Sequence, residues 1–503
     1  MELLSHLALG FATALTLENV LWCFVGVLLG TLIGVLPGLG PLATIAMLLP
    51  ITYQMSDPTT ALIMLAGIYY GAQYGGSTTA ILVNLPGETS SVVTTLDGYQ
   101  MARKGRPGPA LSIAAIGSFF AGTVATLLIA GFAPPLAEIA FKFGPAEYFS
   151  LMVLGLIAAV VLAHGSIVKA LAMVVLGLLV GMIGTDVNSG VARFSFGIPE
   201  LTDGVSFAAV AMGLFGFGEI IANLEHREDR EVFTRRVGRL LPSRDELKAS
   251  LAPIVRGTAL GSFLGILPGG GAVLSSFTSY AIEKKISRTP ERFGKGAIEG
   301  VAGPEAANNA GAQTSFIPML TLGIPTNAVM ALMVAGMMIH NIQPSPQVMT
   351  SNPSLFWGLI TSMWIGNAML VVLNLPLIGI WIKLLTVPYR ILYPAILLFC
   401  CVGAYSINNN VFDVYVTIPF AILGYLFRKL DCEPAPMLLG LVLGSLMEEY
   451  LRRAMTISRG DWSVFVTRPL SATLLAIAVV LLVIVFLPAV AKKRDEAFAE
   501  EES

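Results

Sequence analysis

Long apolar runs recur along the chain, separated by short polar or glycine-rich segments. A spanning helix needs roughly 20 apolar residues, and several of these runs are long enough for one or two such helices. They lie near 18–36, 110–130, 147–183, 205–222, 354–382, 389–426 and 468–488. With the interrupted apolar segments included, the pattern predicts an all-α integral membrane protein of about ten to twelve transmembrane helices, some broken or re-entrant.

The composition supports this class of protein. Of the 503 residues, 55% are hydrophobic and only 12% are charged, against about 25% charged in a typical soluble domain. The 30 basic and 32 acidic residues nearly cancel, so the chain has no basic footprint for nucleic acid. Its four cysteines and four histidines lack metal-ligand or disulfide spacing, and we expect no structural metal site.

Two motifs occur twice. Leu-Ile-Gly-Val-Leu-Pro-Gly-Leu-Gly-Pro at 32–41 returns as Leu-Gly-Ile-Leu-Pro-Gly-Gly-Gly-Ala at 264–272, with the prolines 231 positions apart. Downstream, Gly-Ala-Gln ends at Gln73 and again at Gln313, an offset of 240, and Pro86 matches Pro325 at an offset of 239. Interrupted apolar segments at corresponding positions of two halves indicate a transport site.

The distribution of Lys and Arg predicts how the two halves are oriented. Basic residues cluster at 103–106, 227–248, 284–295, 428–429 and 492–494, whereas the repeat-equivalent loops 51–58, 340–348 and 185–200 carry at most one. Because basic loops face the cytoplasm, the halves are predicted to be inverted repeats with a cytoplasmic C-terminus. One loop disagrees, since Arg452, Arg453 and Arg459 follow a helix that this count ends outside.

These patterns predict five regions along the chain. They are an N-terminal segment (1–17), a first membrane repeat (18–225), a charged cytoplasmic connector (226–249), a second membrane repeat (250–460), and a terminal transmembrane helix with a cytoplasmic tail (461–503).

The repeated Pro-Gly motifs predict helix breaks inside the membrane. Such a break is tolerated only where it is buried in protein or lines a wet cavity. A half-helix that starts after the glycines, at Leu42 or Ala272, would point free N–H groups and a positive dipole end into the gap, which suits an anion. The alternative is a kink or close helix packing. The substrate-binding candidates in these breaks are Gly38, Gly40, Gly269 and Gly271.

The second motif pair is rich in hydroxyl and amide groups, which both donate and accept hydrogen bonds. Its substrate-binding candidates are Ser77, Thr78, Asn84, Pro86 and Gly87 in the first half and Asn308, Asn309, Gln313, Thr314, Pro325, Thr326 and Asn327 in the second. The alternative is packing, because small and hydroxyl residues also line helix interfaces in membranes. The isolated Ser118 and Thr123 are interpreted as packing residues.

No Lys or Arg falls inside either motif pair. A polyanionic substrate would then be held by helix ends, hydroxyls and amides, with co-bound cations balancing its charge, so coupling to Na+ or H+ is expected and no other cofactor. The coupling-ion candidates are Gln73, Glu88, Glu305 and Ser315. Glu88 could instead occupy the first turn of the next helix, where the dipole favours a carboxylate.

Several segments resemble the large membrane subunit of the tripartite tricarboxylate transporter family, and the resemblance extends over nearly the whole chain. The most specific are 34–41, 67–77, 84–88, 96–105 and 293–309. The family often has Tyr-Pro-Met-Ala where this chain has Tyr-Gln-Met-Ala at 99–102, a substitution in a predicted cytoplasmic loop.

The resemblance implies a secondary carrier, or permease, in a bacterial inner membrane. Such a carrier works with a small membrane subunit and a periplasmic solute-binding protein that delivers a carboxylate, commonly citrate or another tricarboxylate, and cation coupling, with Na+ first, is likewise implied. A passive carboxylate channel is the alternative. An enzyme is not expected, because the sequence has neither His-Glu-x-x-His nor Gly-x-Ser-x-Gly.

The sequence generates one direct prediction. Replacing Asn84, Asn309 or Gln313 with Ala is expected to reduce carboxylate uptake without loss of membrane insertion, because each change removes polar groups from a predicted site. Uptake by reconstituted protein and membrane content by immunoblot check this. Unaltered uptake in all three variants would contradict the site assignment.

Overall fold

The computed structural model describes residues 2–36, 40–55, 57–163, 166–186, 189–218, 220–221, 240–269, 271–385 and 389–485. The long helices of the first half are α1 (Glu2–Ala14), α2 (Leu17–Val35), α3 (Pro41–Tyr53), α4 (Pro58–Val83), α5 (Pro107–Ala140), α6 (Pro145–Leu162), α7 (Ile167–Gly181) and α8 (Phe207–Ala211, continued by a π-helix at Met212–Phe217).

The second half contains α9 (Arg244–Leu264), α10 (Gly271–Ile286), α11 (Glu299–Thr314), α12 (Phe316–Leu322), α13 (Ala328–Ile339), α14 (Pro353–Asn374), α15 (Ile378–Leu385), α16 (Tyr389–Asn408), α17 (Val411–Lys429), α18 (Ala435–Ile457) and α19 (Pro469–Val485). Short helical turns lie at Thr89–Ser91, Val92–Thr94, Thr95–Tyr99, Gln100–Arg103, Pro199–Asp203, Pro290–Arg292, Val348–Ser351 and Val464–Thr467. The strands of the described residues are β1 (Gly184–Thr185) and β2 (Ala192–Arg193), paired antiparallel.

The predicted all-α membrane class is confirmed. Five helices, α2, α5, α6, α14 and α17, are long and apolar enough to cross a membrane, and six shorter apolar helices accompany them in the described part of the chain. The predicted connector (226–249) lies outside the described residues up to 239, and the predicted tail lies outside them from 486.

Described helices end before and begin after both repeated Pro-Gly motifs, whose residues 37–39 and 270 lie outside the described residues. Helix α2 ends at Val35 and α3 begins at Pro41, while α9 ends at Leu264 and α10 begins at Gly271. Each new helix therefore begins one residue before the predicted start. Pro41 suits a first helical position, because the N–H that proline lacks would have no partner in the helix.

Matching glycine ladders bring α2 against α4 and α9 against α11. A Cβ added to Gly26, Gly30 or Gly34 would lie 2.3–2.4 Å from the carbonyl oxygen of Met64, Ile68 or Ala72, respectively. A Cβ on Gly257, Gly261 or Gly265 would lie 2.2–2.4 Å from the carbonyl of Gly303, Ala307 or Gly311. Each glycine of the first ladder lies 231 positions before its counterpart in the second, and each carbonyl partner lies 239 positions before its own counterpart. Because both offsets are constant, the two halves use one packing arrangement. Small residues that recur every four positions allow two helix backbones to approach this closely.

This contact register corrects the sequence pairing of Gln73 with Gln313. The ladder matches Ala72 with Gly311, so Gln73 corresponds to Ala312 and Gln313 to Tyr74. One residue turns a helix by about 100°, and the two glutamines therefore face different neighbours. The repeated Gly-Ala-Gln sequence gives an offset of 240 between the halves, whereas the helix packing gives 239.

Helices α4 and α11 form the polar centre of the fold. Every residue from Thr59 to Leu82 and from Gly300 to Thr314 is buried. Helix α4 has 26 residues, about 39 Å at 1.5 Å per residue, yet it is not among the five most apolar spans. Because polar side chains are costly in lipid, these two helices are enclosed by α2, α5, α9 and α14, which pack directly on them.

The last helix of the described chain docks on the first half. Helix α19 packs along α6. The buried Glu147 at the start of α6 accepts a hydrogen bond from Nε of Arg468 at 2.5 Å, and the hydroxyls of Ser150 and Ser471 are 2.7 Å apart.

Substitution in a glycine ladder tests the shared packing. Gly30→Ala and Gly261→Ala are each expected to lower the thermal unfolding temperature in detergent, since the methyl group meets a backbone carbonyl and overpacking costs about 1–3 kcal/mol. Gly131→Ala is the control, because that exposed helical glycine has nothing within 4 Å of an added Cβ. Equal unfolding temperatures for all three variants would contradict the ladder.

Candidate functional site

One face of α11 carries most of the predicted polar site. Glu305, Asn308, Asn309 and Gln313 follow a spacing of three and four residues, which places them on the same side of a helix. All four have no exposed surface. Their side-chain partners come from the first half of the chain, so this face joins the two halves.

Glu305 is held by hydroxyl groups. Ser77 on α4 donates to its Oε2 at 2.6 Å, and Thr94 in the short helical segment after α4 donates to its Oε1. No salt bridge reaches Glu305 within the described part of the chain. A carboxylate buried without a counter-charge is strongly disfavoured, so this group requires either a proton or a nearby cation.

Ser90 stands between two amide oxygens from different halves. Its Oγ lies 2.8 Å from Oε1 of Gln73 and 2.7 Å from Oδ1 of Asn308. A hydroxyl has one hydrogen to donate, and Ser90 can therefore bond only one of these oxygens at a time. The arrangement leaves one acceptor available for another donor or a cation.

The same face of α11 also contacts α5. The amide Nδ2 of Asn309 donates to Oγ of Ser118 at 2.6 Å, and Thr126 donates to Oε1 of Gln313 at 2.7 Å. Ser118, interpreted from sequence as a packing residue, is thus part of the polar network. Gly122 lies between Ser118 and Thr126 on α5. A Cβ added to it would be 2.8 Å from Nε2 of Gln313, so this glycine makes room for the Gln313 amide.

Glu88 and Asn327 occupy equivalent positions, each directly preceding a helical turn. Glu88 has φ −150° and ψ 164°, and Asn327 has φ −150° and ψ 173°. The Asn327 side chain accepts the N–H of Met330 at 3.0 Å, as a helix N-cap does. Tyr69 on α4 is buried and lies within electrostatic reach of Glu88.

The second break packs against its own proline segment. The N–H of Gly269, whose φ is +78°, donates to the carbonyl of Thr326 at 2.7 Å. The Asn327 amide donates to Oγ of Ser315 at 3.3 Å, and that hydroxyl has its one hydrogen within reach of two carbonyl oxygens, of Gly311 at 2.7 Å and of Gly265 at 3.1 Å. The predicted residues Gly269, Gly271, Ser315, Thr326 and Asn327 therefore form one cluster beside the network on α11.

Some predicted residues lie elsewhere or bond only locally. Asn84 is exposed and ends α4 at φ 58°, a position that Gly323 occupies in the second half at φ 71°, so its conformation is that of a helix cap. Thr78 and Thr314 bond carbonyls of their own helices. An added Cβ on Gly40 would meet nothing within 4 Å.

The remaining predicted Pro and Gly residues differ in burial and packing. Pro86 is half-buried, whereas its match Pro325 is buried. Gly87 packs so closely that an added Cβ would be 1.8 Å from the Gly34 carbonyl. Gly38 lies outside the described residues.

Buried polar atoms without a hydrogen-bond partner are concentrated in this region. They include Oε1 of Glu88, Nδ2 of Asn308, Oδ1 of Asn309, Nε2 of Gln313, Oγ1 of Thr326, Nδ2 of Asn367 and Oδ1 of Asn374. An unpaired buried group costs about 1–3 kcal/mol, and most buried polar atoms in proteins have a partner. Both donors and acceptors are free here, which suits a site for an anion and its counter-ion.

Four hydroxyl residues of the network could not be assigned from the repeated motifs alone. Ser90 and Thr94 lie just beyond the Pro86 segment, and Ser118 and Thr126 lie on α5. Ser118 and Thr126 each lie four residues from Gly122, and this spacing, which puts all three residues on one helix face, is the sequence signal available for them.

The comparisons with known proteins identify the family. The sequence model of the Tripartite tricarboxylate transporter TctA family matches residues 20–439. The chain belongs to this family. TctA family members are transporter subunits, and the apolar helices place this chain in a membrane.

Two relatives come from Agrobacterium vitis. One, described as an uncharacterised 52.8 kDa protein in the TAR-I ttuC′ 3′ region, is 62% identical over 502 residues and covers 100% of both chains. The other, described as an uncharacterised protein in the TAR-II ttuC′ 3′ region, is 61% identical over 242 residues, which are 48% of this chain and 100% of the relative. No solved structure matches this TctA family chain.

A large cavity lies away from the polar network of this TctA family member. It has a volume of about 960 Å³ and lies between α7, α13, α18 and the segment from Ile183 to Phe207. That volume is at the upper end of the ~300–1,000 Å³ usual for ligand pockets. Its charged lining residues are Arg193, Asp203, Glu448, Glu449, Arg452 and Arg453, so both signs of charge are present.

An ion cluster joins the β-hairpin to the end of α18 beside this cavity. Arg452 pairs with the buried Asp186 and, at 2.6 Å, with Glu448, which also accepts a hydrogen bond from Arg193 at 2.8 Å. Arg453 pairs separately with Glu449. The basic residues that disagreed with the loop-charge pattern are therefore neutralised by carboxylates, except Arg459, for which the described structure shows no such pair.

The Arg452 cluster gives a prediction about stability. Arg452→Gln is expected to lower the unfolding temperature more than Arg453→Gln, because it removes a partner of the buried Asp186, whereas an exposed pair contributes only about 0.2–1 kcal/mol. Thermal unfolding of both purified variants provides the comparison. Asp186→Asn added to Arg452→Gln should recover part of the loss, and an equal effect of the two arginine variants would argue against the cluster.

Proposed function

We propose that this chain is the large membrane subunit of a secondary active transporter that imports a tricarboxylate, with citrate as the first candidate, across a bacterial inner membrane. Import is coupled to a cation, with Na+ ahead of H+. The observation that carries the proposal is the buried polar face of α11, which the first half meets with hydroxyls and amides and without Lys or Arg.

The chemistry of this face suits carboxylate binding only together with cations. The amide nitrogens of Asn308 and Gln313 are unpaired donors that can bond carboxylate oxygens. Glu88 and Glu305 are within electrostatic reach of one another, so either carboxyl, when ionised, repels a polyanion bound beside it. Co-bound cations or protons reduce that repulsion, which makes anion binding depend on the coupling ion.

This dependence has the form required for symport. If a cation raises the affinity for the carboxylate, the carboxylate raises the affinity for the cation by the same factor. A carrier that moves only when both are bound converts a cation gradient into substrate accumulation. At the helix breaks and at the contacts of α11, one half can move relative to the other.

The tripartite family also implies other subunits. We propose that they are a small membrane subunit and a periplasmic solute-binding protein that delivers the carboxylate. The described structure contains several exposed apolar helix faces, as on α17 with Tyr415, Ile418 and Ile422, which lipid or a membrane subunit can cover.

Uptake of labelled citrate tests the proposal. Proteoliposomes hold the chain and its small partner, loaded binding protein is outside, and an inward Na+ gradient is applied. Accumulation that needs both the gradient and the binding protein is expected. Equilibration without cation dependence would instead identify a passive channel, and absence of uptake with citrate and with a panel of other carboxylates would reject the carrier.

The variant Glu305→Gln tests the role of the buried carboxyl. It keeps the side-chain volume and one acceptor but removes the ionisable group, so accumulation driven by the cation gradient should fall at least about ten-fold, the lower end of the loss found when a group supporting a metal-ion site is altered. Glu138→Gln is the control, since that glutamate is exposed on α5. Unchanged Na+ dependence in Glu305→Gln would contradict the assignment.

A further inference from the structure

A small enclosed cavity lies between α4, α5 and α14. Its polar lining residues are Tyr74, Ser77, Thr78, Ser118 and Asn374, and Leu111, Ala114 and Ala115 complete the wall. The volume is about 10 Å³, which is about the room that one water molecule needs. A dehydrated monovalent cation fits such a space, whereas a tricarboxylate does not.

Three of the polar lining residues carry side-chain oxygen atoms with bonding capacity to spare. Nδ2 of Asn374 donates to the Leu370 carbonyl of its own helix at 3.0 Å, while its buried Oδ1 has no hydrogen-bond partner. Ser118 accepts the Asn309 amide at 2.6 Å and Ser77 donates to Glu305. Each hydroxyl oxygen still has a lone pair available. The three residues together offer uncharged oxygen donors, the ligands that hard cations prefer.

A buried carboxyl group lies one hydrogen bond from the cavity. Ser77 borders the cavity and contacts Oε2 of Glu305 at 2.6 Å, and that carboxyl has no ion-pair partner among the described residues. A cation beside Ser77 would therefore offset the cost of burying Glu305. The described residues contain no group of three or more His, Cys, Asp and Glu that could hold a metal ion, and the available ligands are hydroxyl and amide oxygens that suit an alkali cation.

We infer that this cavity binds a monovalent alkali cation, Na+ by size, through Oγ of Ser77, Oγ of Ser118 and Oδ1 of Asn374. The inference rests on the proposed carrier function and gives its coupling ion a location. Ser77 and Ser118 belong to the first half and Asn374 to the second, so the bound ion fixes α14 against α4 and α5 and supports the Ser77 contact with Glu305.

Cation binding can be measured without substrate. The purified chain in detergent, in a choline chloride background, is titrated with NaCl, and its thermal unfolding temperature is followed. Wild type should be stabilised along a saturating curve. Asn374→Ala and Ser118→Ala should each shift the Na+ midpoint at least about ten-fold upward, the scale of effect expected on altering a cation site.

Asn352→Ala is the matched control, because this exposed asparagine lies at the other end of α14, and its Na+ midpoint should equal that of wild type. Ser118→Thr keeps the hydroxyl and provides a second test should an alanine variant fail to fold, with a midpoint below that of Ser118→Ala. Stabilisation by Na+ with unchanged midpoints in the cavity variants would overturn the inference and leave a water site.

Absence of any Na+ stabilisation in wild type would also overturn it. The carrier proposal is judged separately by labelled uptake. Uptake without Na+ stabilisation retains the carrier and rejects this cavity as the ion site, whereas Na+ stabilisation that depends on Asn374 without uptake of any carboxylate retains the ion site and rejects the proposed substrate class.

Discussion

The contact between Glu305 and the hydroxyls of Ser77 and Thr94 is the interaction on which the rest of this structure depends. Inside a membrane protein a carboxyl group cannot be left without partners, and the fold meets this constraint by burying α11 from Gly300 to Thr314 and packing the first half against it. The same face places Asn308, Asn309 and Gln313 against Ser90, Ser118 and Thr126. Because the partners are neutral, the charge of Glu305 is left for a proton or a cation to balance, which connects the packing of the two halves to ion binding.

The two halves share a packing arrangement in which equivalent positions have diverged. The glycine ladders of α2 and α9 and the left-handed caps Asn84 and Gly323 have the same geometry in both. Glu88 and Asn327 have nearly the same backbone angles, but only the first is ionisable. A shared backbone with different side chains gives the chain one ionisable position and one neutral position at equivalent places. The prediction that the halves are inverted in the membrane rests on the charges of their loops.

Much of this fold could be predicted from the sequence, because the apolar runs, the Pro-Gly breaks and the repeated motifs depend on local chemistry. The helix starts at Pro41 and Gly271 lie one residue from the predicted ones. The side-chain network was less accessible, since Ser118 and Thr126 become functional candidates only when α5 packs against α11. The pairing of Gln73 with Gln313 was wrong by one residue because matching letters do not fix a helical register, whereas close glycine contacts do. Asn84 ends α4 in a left-handed conformation, and its role in substrate binding stays a prediction.

We propose that cation and carboxylate bind to one coupled site between the halves. Equilibrium binding of labelled citrate, or of the carboxylate that uptake identifies, is to be measured on the purified chain at low and high Na+, with the reciprocal titration of Na+ at low and high carboxylate. Each ligand is expected to raise the affinity for the other by the same factor, as linkage requires. Carboxylate affinity that does not change with Na+ or with pH would contradict it.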